Sequence, residues 1–331
     1  MENSLNLAAV TFDGVLALVL LVLAWQLLRS PNLFKAIVLF ISFGLMLSLA
    51  WVRLKAVDIA LAEAAIGAGL TGALFLTALD RLQRNNQKAG DSLTSQPGKV
   101  IAGISVLALT CILGWTVWTL PPFSNQMLAL VSSNMPISGV ENPVTAVLLN
   151  FRGYDTLLEI GVLLLAAVGV LAVTPSAVMV ADSAPSPILI LLLRLLLPFI
   201  ILVSGYILWI GKYAPGGAFQ AGAVLAAGGI LLATAAVRFN LSASKALPLA
   251  TGIGLLIFLL VALATMMLRG NYLQYPVAQA GTLILVIEAA ATLSIAAVLV
   301  LLFVGVKSDA DCPAPGEDSK NFIFEEENTI K

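Results

Sequence analysis

The sequence predicts an all-α, polytopic integral membrane protein with about nine transmembrane helices. Of its 331 residues, 60% are hydrophobic and only 11% are charged, whereas a soluble domain has about a quarter charged residues. The apolar residues form continuous runs of roughly 20 residues, the length that a helix needs to cross a bilayer. Strand barrels would instead show short segments of alternating apolar and polar residues.

The apolar runs fall into groups of three, two and four. In chain order they cover residues 9–28, 34–52, 57–79, 100–120, 154–174, 188–210, 217–237, 247–268 and 279–306. The first run follows an acidic rather than a basic flank, so we expect a retained helix and not a cleaved signal peptide.

Polar breaks at residues 80–99 and 174–187 separate these groups and predict the domain boundaries. Between spans four and five, Asn142 and Pro143 predict the cap and first turn of a short interfacial helix. An acidic tail follows the last span and has an apolar patch at residues 322–324. The expected division is a three-helix module (1–80), a linker (81–99), a two-helix module (100–175), a four-helix module (188–306) and a cytoplasmic tail (307–331).

The distribution of Lys and Arg predicts the orientation in the cell inner membrane. With the N-terminus outside, the connections on the cytoplasmic side have 11 Lys and Arg residues and the outer connections have 5, with Arg194 left inside a span. We therefore expect the C-terminus to be cytoplasmic.

Several kinds of chemistry are excluded by composition. His is absent and only two Cys are present, so this chain alone cannot form a Cys/His zinc site, a bis-His haem, an iron-sulfur cluster or a His-dependent triad. No basic cluster is dense enough to grip the phosphates of a nucleic acid. We expect no cofactor, no metal site and no nucleic-acid partner, and any chemistry must use carboxylates, Lys, Arg and the backbone.

The third span contains two carboxylates. An ionisable group at mid-bilayer costs about 2.5–3.5 kcal/mol on insertion scales, so such residues usually face a bundle interior, a wet cavity or a partner. Asp58 and Glu63 are five residues apart, which at about 100° per residue separates them by some 140° around the helix. We expect them to face two different neighbouring helices.

The start of the fifth span has three charged residues on one stripe, Arg152, Asp155 and Glu159. Arg152 and Asp155 fit an anchoring ion pair at the membrane surface and an ion path equally well. Glu159 lies one turn deeper, where an ion-handling role is favoured.

Glu288 and Arg194 are deeper still. Glu288 is a candidate ion-translocating acid, and the structural alternative is a hydrogen bond to a Ser, a Thr or Arg194 of a neighbouring helix. Arg194 needs a carboxylate or backbone carbonyls, and Pro198 frees the carbonyl of Arg194 by removing its normal donor. A functional kink and a structural ion pair remain open for Arg194.

Four stretches in this order resemble the membrane modules of Mrp-type (Mnh) multisubunit sodium/proton antiporters. They are "DIALAEAAIGAG", "NPVTAVLLNFRGYDTLLEIGVLLLA", "GKYAPGGAFQAGAVLAAGGIL" and "LILVIEAAATLSIA". The first is similar to the three-helix module of membrane-bound hydrogenases (MbhD-like, DUF4040), and the second to the two-helix MbhE-like module. The last two are similar to the four-helix MnhB-like module.

The resemblance implies that the chain is a non-enzymatic subunit of a larger complex related to complex I. Its expected partners in that complex are large antiporter-like subunits and small membrane subunits. The resemblance also implies that Glu63, Glu159 and Glu288 pass protons or sodium, with Asp58 and Asp155 as further acids. Arg152, Arg194 and Lys212 are expected to support them.

Two other functions compete with a gradient-driven antiporter. The chain could be the corresponding subunit of a redox-driven assembly such as an energy-converting hydrogenase, or a scaffold whose acids form buried ion pairs. A stand-alone carrier is disfavoured, because the sequence has no inverted repeat and no pair of matching broken helices.

Overall fold

The computed structural model describes residues 2–84, 96–120, 126–173, 187–235 and 246–308. Every regular element in these ranges is a helix, which confirms the predicted all-α class. Most of the predicted linker (85–95), the break at 174–186 and the tail from 309 with its apolar patch lie outside the described residues.

The helices follow the predicted runs closely. In chain order they are α1 (Glu2–Arg29), α2 (Leu33–Arg53), α3 (Val57–Ala62), a π-helical segment (Glu63–Leu70), α4 (Thr71–Arg84), α5 (Gln96–Thr119), α6 (Gln126–Ser138), α7 (Pro143–Ala146), a second π-helical segment (Val147–Phe151), α8 (Gly153–Val173), α9 (Pro187–Ile210), α10 (Ala218–Thr234), α11 (Ala246–Arg269) and α12 (Ala280–Ser308).

Eight stretches of the described chain are long and apolar enough to cross a membrane, and α10 is a shorter apolar helix of 17 residues. The α3 helix, the first π-helical segment and most of α4 form one of these spans, Val57–Asp80. The chain is therefore a multi-pass membrane protein, and the observed helices agree with the prediction of about nine.

The core is built around α12, which packs against α8, α9, α10, α11 and α4. Phe258 of α11 and three isoleucines of α12 are almost completely buried there, Ile284, Ile287 and Ile295. A β-carbon added at Gly222 of α10 would lie 2.8 Å from Cγ2 of Ile295. The small residues of α10 therefore let these helices approach closely.

The N-terminal helices form a second layer. Helix α2 packs against α1 and against α3 and its π-helical continuation. Arg53 forms an ion pair with Asp13, with Nε 2.6 Å from Oδ1, and both side chains are exposed.

Helix α5 does not contribute to the core. Every described residue from Val100 to Leu120, in and after this helix, is exposed.

One helix was not predicted. Residues of α6 have the polar run Ser132–Ser133–Asn134, which suggests a loop, but all three side chains donate hydrogen bonds to carbonyls one turn earlier. Because these local bonds satisfy the polar groups, the backbone remains helical. Asn142 caps α7 as predicted, since its side chain accepts the N–H of Val144 and Pro143 occupies the first turn.

Several connections meet at one end of the bundle, which we call the loop face. The backbone N–H groups of Glu141 and Asn142 both donate to the carbonyl of Lys212, at 2.9 and 3.0 Å. A β-carbon added at Gly139 would clash with Gly281 at the start of α12. The turn of residues 211–217, between α9 and α10, thus lies against the segment that precedes α7, and it positions the site below.

Candidate carboxylate cavity

Glu288 is the most deeply buried acid that the structure describes, with 3% of its surface exposed. Its carboxylate accepts the backbone N–H of Ala218, the first residue of α10. The other oxygen, Oε2, is buried and has no hydrogen-bond partner among the described residues. The structural alternative, a hydrogen bond from Arg194 or from a Ser or Thr side chain, is not observed among the described residues. The N-terminus of α10 takes its place, where backbone N–H groups are free to bind an anion.

The turn of residues 211–217 connects this acid to the third span. Gly216 donates its N–H to Oδ1 of Asp58 at 2.9 Å, and Gln220 Nε2 donates to the carbonyl of Asp58 at 3.2 Å. Gly217, between the two contacts, has φ +109°, and a β-carbon there would lie 2.8 Å from Oε1 of Glu288. Only glycine fits here without strain, because the residue has both a left-handed φ and a carboxylate against it.

A cavity of about 350 Å³ opens between these elements. Asp58 of α3, Glu159 of α8 and Glu288 of α12 all line it. The structure thus brings together three of the five acids that the sequence singled out, each from a different span. The other polar side chains of the wall are Thr145, Thr156 and Gln220, and the remainder is largely apolar.

The two threonines of the wall are fixed by carbonyl acceptors. Thr145 Oγ1 donates to the carbonyl of Gly211 at 2.6 Å, and Thr156 Oγ1 donates to that of Leu148 at 2.7 Å. A hydroxyl whose proton is committed in this way still has acceptor lone pairs. Thr145 belongs to the "ENPVT" stretch of residues 141–145, and no signal in the sequence pointed to Thr156 or Gln220.

Asn142 holds the wall and the turn together. Its Nδ2 donates to the carbonyls of Gly211 at 3.3 Å and Ala214 at 3.0 Å, while its Oδ1 caps α7. The side chain is 4% exposed. One amide therefore links the helix that contributes Thr145 to the turn that contacts Asp58 and Glu288.

The charged stripe at the start of α8 divides into two parts. Arg152 and Asp155 form an ion pair, and both side chains are substantially exposed. This geometry favours the anchoring interpretation, and neither residue lines the cavity. Glu159, one turn deeper, lines the cavity on a part of α8 that the described chain leaves exposed.

Glu63 lies apart from the cavity. A β-carbon added at Gly44 of α2 would be 3.3 Å from Oε1 of Glu63, and one added at Gly67 would be even closer to the same oxygen. Asp58 faces the turn at Gly216, so the expectation that the two acids address different neighbours is confirmed. Of the three glutamates expected to pass ions, Glu159 and Glu288 line this cavity and Glu63 does not.

The two supporting cations are not in the cavity wall either. Lys212 is half-buried on the loop face, and a β-carbon added at Gly281 would lie 3.0 Å from its Nζ. Arg194 is exposed on α9 and forms no ion pair with any acid in the part of the chain that the structure describes. Over the same residues, no cluster of three or more His, Cys, Asp or Glu side chains is suited to hold a metal ion.

Tyr275, in the loop between α11 and α12, is the other buried residue with an unpaired polar atom in the described ranges. Burial raises the pKa of its hydroxyl above the usual range, and the nearby Tyr272 acts in the same direction. Tyr275 is therefore neutral at physiological pH, and it does not line the cavity.

Two protein families match separate parts of the chain. Residues 18–84 match the MbhD family, described as a subunit of MBH, and residues 188–308 match the family described as a domain related to the MnhB subunit of Na+/H+ antiporter. The chain thus joins a segment similar to MbhD to a domain similar to the MnhB subunit. The resemblance to Mrp-type modules is thereby confirmed for these two segments, and the two-helix MbhE-like module at 100–175 stays a prediction.

Curated relatives extend this likeness. The chain is 28% identical over 162 residues to Na(+)/H(+) antiporter subunit A1 from two strains of Staphylococcus epidermidis. The match covers 48% of this chain but only 20% of that subunit. The chain thus spans about a fifth of the length of the curated relatives it matches.

Solved structures share the fold. A chain of the Mrp complex from Dietzia sp. DQ12-45-1b superposes with a TM-score of 0.70 at 22% identity, covering 91% of this chain and 35% of that one. A chain of the membrane-bound sulfane sulfur reductase, an archaeal respiratory membrane complex, gives a TM-score of 0.53 at 24% identity and covers 62% of this chain and 97% of that one. At these identities the likeness concerns the fold.

Proposed function

We propose that the MbhD–MnhB fusion is a membrane subunit of a multisubunit monovalent cation/proton antiporter, in which the carboxylate cavity passes protons or sodium. The observation that carries this proposal is the convergence of Asp58, Glu159 and Glu288 on one cavity. Asp58 belongs to the segment that matches MbhD, and Glu288 belongs to the domain that matches MnhB. The cavity is therefore lined by both matched segments of the chain.

Glu288 is suited to exchange an ion with the cavity. One N–H group stabilises its carboxylate, and the free Oε2 needs a proton, a water molecule or a cation to satisfy it. A cavity of about 350 Å³ has room for several water molecules, and the threonine lone pairs supply further acceptors. The acids of the described chain form no cluster suited to hold a metal ion. We therefore favour transfer of the ion through water between separate carboxylates over one site in which several side chains coordinate it.

Glu63 and Asp155 have different places in this proposal. Glu63 is a second station in the MbhD segment, packed against the glycines of α2 and the π-helical segment. Asp155, paired with Arg152 at the exposed end of α8, supports the entrance rather than the cavity itself. Lys212 stabilises the loop face through its backbone carbonyl, which accepts two N–H groups.

The partners in this proposal are the other subunits of an Mrp-type complex, namely large antiporter-like subunits and small membrane subunits. The exposed helix α5 and the exposed side of Glu159 on α8 are compatible with such neighbours. The subunit itself is not an enzyme, and the proton gradient drives transport. We place the loop face outside and the C-terminus in the cytoplasm, as the Lys and Arg distribution indicates.

A redox-driven assembly is the second candidate function. The match of residues 18–84 to the MbhD family favours it. That family is described as a subunit of MBH, whereas the family matched by residues 188–308 is described as related to an antiporter subunit. In such an assembly electron transfer elsewhere would drive the same cavity.

The test uses everted membrane vesicles from cells without other sodium/proton antiporters. Vesicles with the complete set of neighbouring genes are expected to release a preformed proton gradient when sodium is added, and vesicles with this chain alone are expected to release none. A response of the complete complex that requires an electron donor would favour the redox-driven candidate. Sodium-dependent release by this chain alone would contradict the assignment as a subunit.

A further inference from the structure

Arg194 is the single charged residue of α9, a candidate membrane span of 24 residues. It is seven residues from the start of the helix, or about 10 Å along its axis, which places it within a hydrocarbon layer about 30 Å thick. The side chain is exposed and has no ion pair or hydrogen bond with any described residue. An unpaired guanidinium in this position is costly, so it needs an anion from beyond the residues that the structure describes.

The surface around Arg194 points away from the chain's own core. Helix α9 packs mainly on α10, where Leu197 and Ile200 lie against Gly228. The exposed side of α9 is otherwise apolar and includes Leu191, Leu195, Phe199 and Leu202, each at least 60% exposed. Arg194 is thus one cation at the side of an otherwise apolar, exposed face of α9.

A second polar group lies at the same depth. Pro198 has no N–H, so the carbonyl of Arg194 lacks the donor that a helix normally supplies four residues later. A long side chain can extend toward the headgroups, but a backbone carbonyl cannot. A donor from a neighbouring helix is one of the ways in which such a carbonyl is satisfied inside a membrane.

We propose that this face of α9 docks against a transmembrane helix of a partner subunit that has an Asp or Glu paired with Arg194. The charge complementarity is specific, because a planar guanidinium binds a carboxylate in a bidentate fashion. The inference rests on the part of the proposed function that places the chain in a complex, and it does not depend on ion transport. An anionic lipid headgroup is the competing ligand.

The experiment begins with the complete complex purified in mild detergent, with a photo-crosslinking amino acid at Leu195. We expect a crosslink to one subunit, mapped by mass spectrometry to a hydrophobic segment that contains an Asp or Glu. Crosslinks to lipid alone would overturn the proposal.

The second arm compares Arg194→Leu with Arg194→Lys. The leucine variant leaves the partner's carboxylate unpaired in lipid, so the yield of that subunit in the purified complex should fall at least about tenfold. The lysine variant should retain it. Replacing the mapped acid with Arg in an Arg194→Glu background should restore the yield.

Arg269→Leu, at the exposed end of α11, is the matched control and should retain every subunit. Equal subunit yields for Arg194→Leu and the control would overturn the docking proposal. Because the readout is assembly, that result would leave the transport assay on the cavity unaffected, and the two proposals fail separately.

Discussion

At Glu288, one carboxylate oxygen is held by the N-terminus of α10 while Oε2 has no partner in the described chain. This asymmetry distinguishes it from Asp155, whose charge is compensated by Arg152. A buried carboxylate with one committed and one free oxygen can gain or lose an ion without rebuilding its surroundings.

Gly217→Ala should destabilise the protein by about 1–3 kcal/mol, because it forces an L side chain into a left-handed φ. The new methyl group would also press on Oε1 of Glu288. The matched control is Gly252→Ala in α11, where an added β-carbon meets nothing within 4 Å. Thermal unfolding of the purified complex should show a lower midpoint for the first variant only, and equal midpoints would contradict the assigned strain.

Sequence reasoning identified the acids of the cavity but not their grouping. Asp58, Glu159 and Glu288 are conspicuous because charges in apolar runs are costly, and helical periodicity separated Asp58 from Glu63 correctly. Glu63 lies beside Gly44 and away from the cavity. This position depends on which helices are neighbours, and the periodicity within one helix does not contain that information.

Among the elements, the turn of residues 211–217 connects several parts of the cavity wall. It contacts Asp58 through Gly216 and Asn142 through Gly211 and Ala214. It also leads directly into Ala218, whose N–H binds Glu288. The "PGG" sequence predicts a tight turn, but the partners of a turn come from tertiary packing and could not be predicted from it.

Asn142→Ala should release this turn from α7. The change removes a helix cap and two buried hydrogen bonds, so we expect a loss of about 1–2 kcal/mol in stability. Hydrogen exchange should become faster across residues 211–217. Asn134→Ala in α6 removes a local bond of an exposed side chain and serves as the control. Unchanged exchange in the Asn142 variant would show that the turn is held by other contacts.

Helix α6 shows the converse case. The sequence made no prediction for its polar Ser and Asn run, and the bonds of these side chains to preceding carbonyls allow a helix there. The cap at Asn142 was predictable because it depends on residues adjacent in sequence. Local signals thus placed the start of α7 well, whereas the polar run of α6 gave no helix signal.

For the whole molecule, the alternation of helices places the loop face on one side of the membrane. Contacts among residues 139–142, 211–217 and 281 show that these connections lie together. The predicted fold class and the number of spans followed from length and hydrophobicity alone. The exposure of α5 could not be predicted from the sequence. An apolar helix has a similar composition whether it faces lipid or protein.

The orientation can be tested with introduced cysteines after Cys111 and Cys312 are replaced with Ser. Asn271→Cys, in the exposed loop after α11, should react with a membrane-impermeant maleimide added to intact cells. Ser30→Cys, in the loop between α1 and α2, should react only in everted vesicles. The reverse pattern would place the loop face in the cytoplasm and reverse the predicted topology.

The central claim is that the cavity acids pass the ion, and one comparison tests it most directly. Sodium-dependent release of a proton gradient is measured in everted vesicles with the complete complex, for Glu288→Gln and for the control Glu141→Gln, whose side chain is exposed on the loop face. With assembly verified, we predict at least about a tenfold loss of rate for Glu288→Gln and an unchanged rate for the control. Wild-type rates in both variants would contradict the claim and would identify Glu288 as a structural acid.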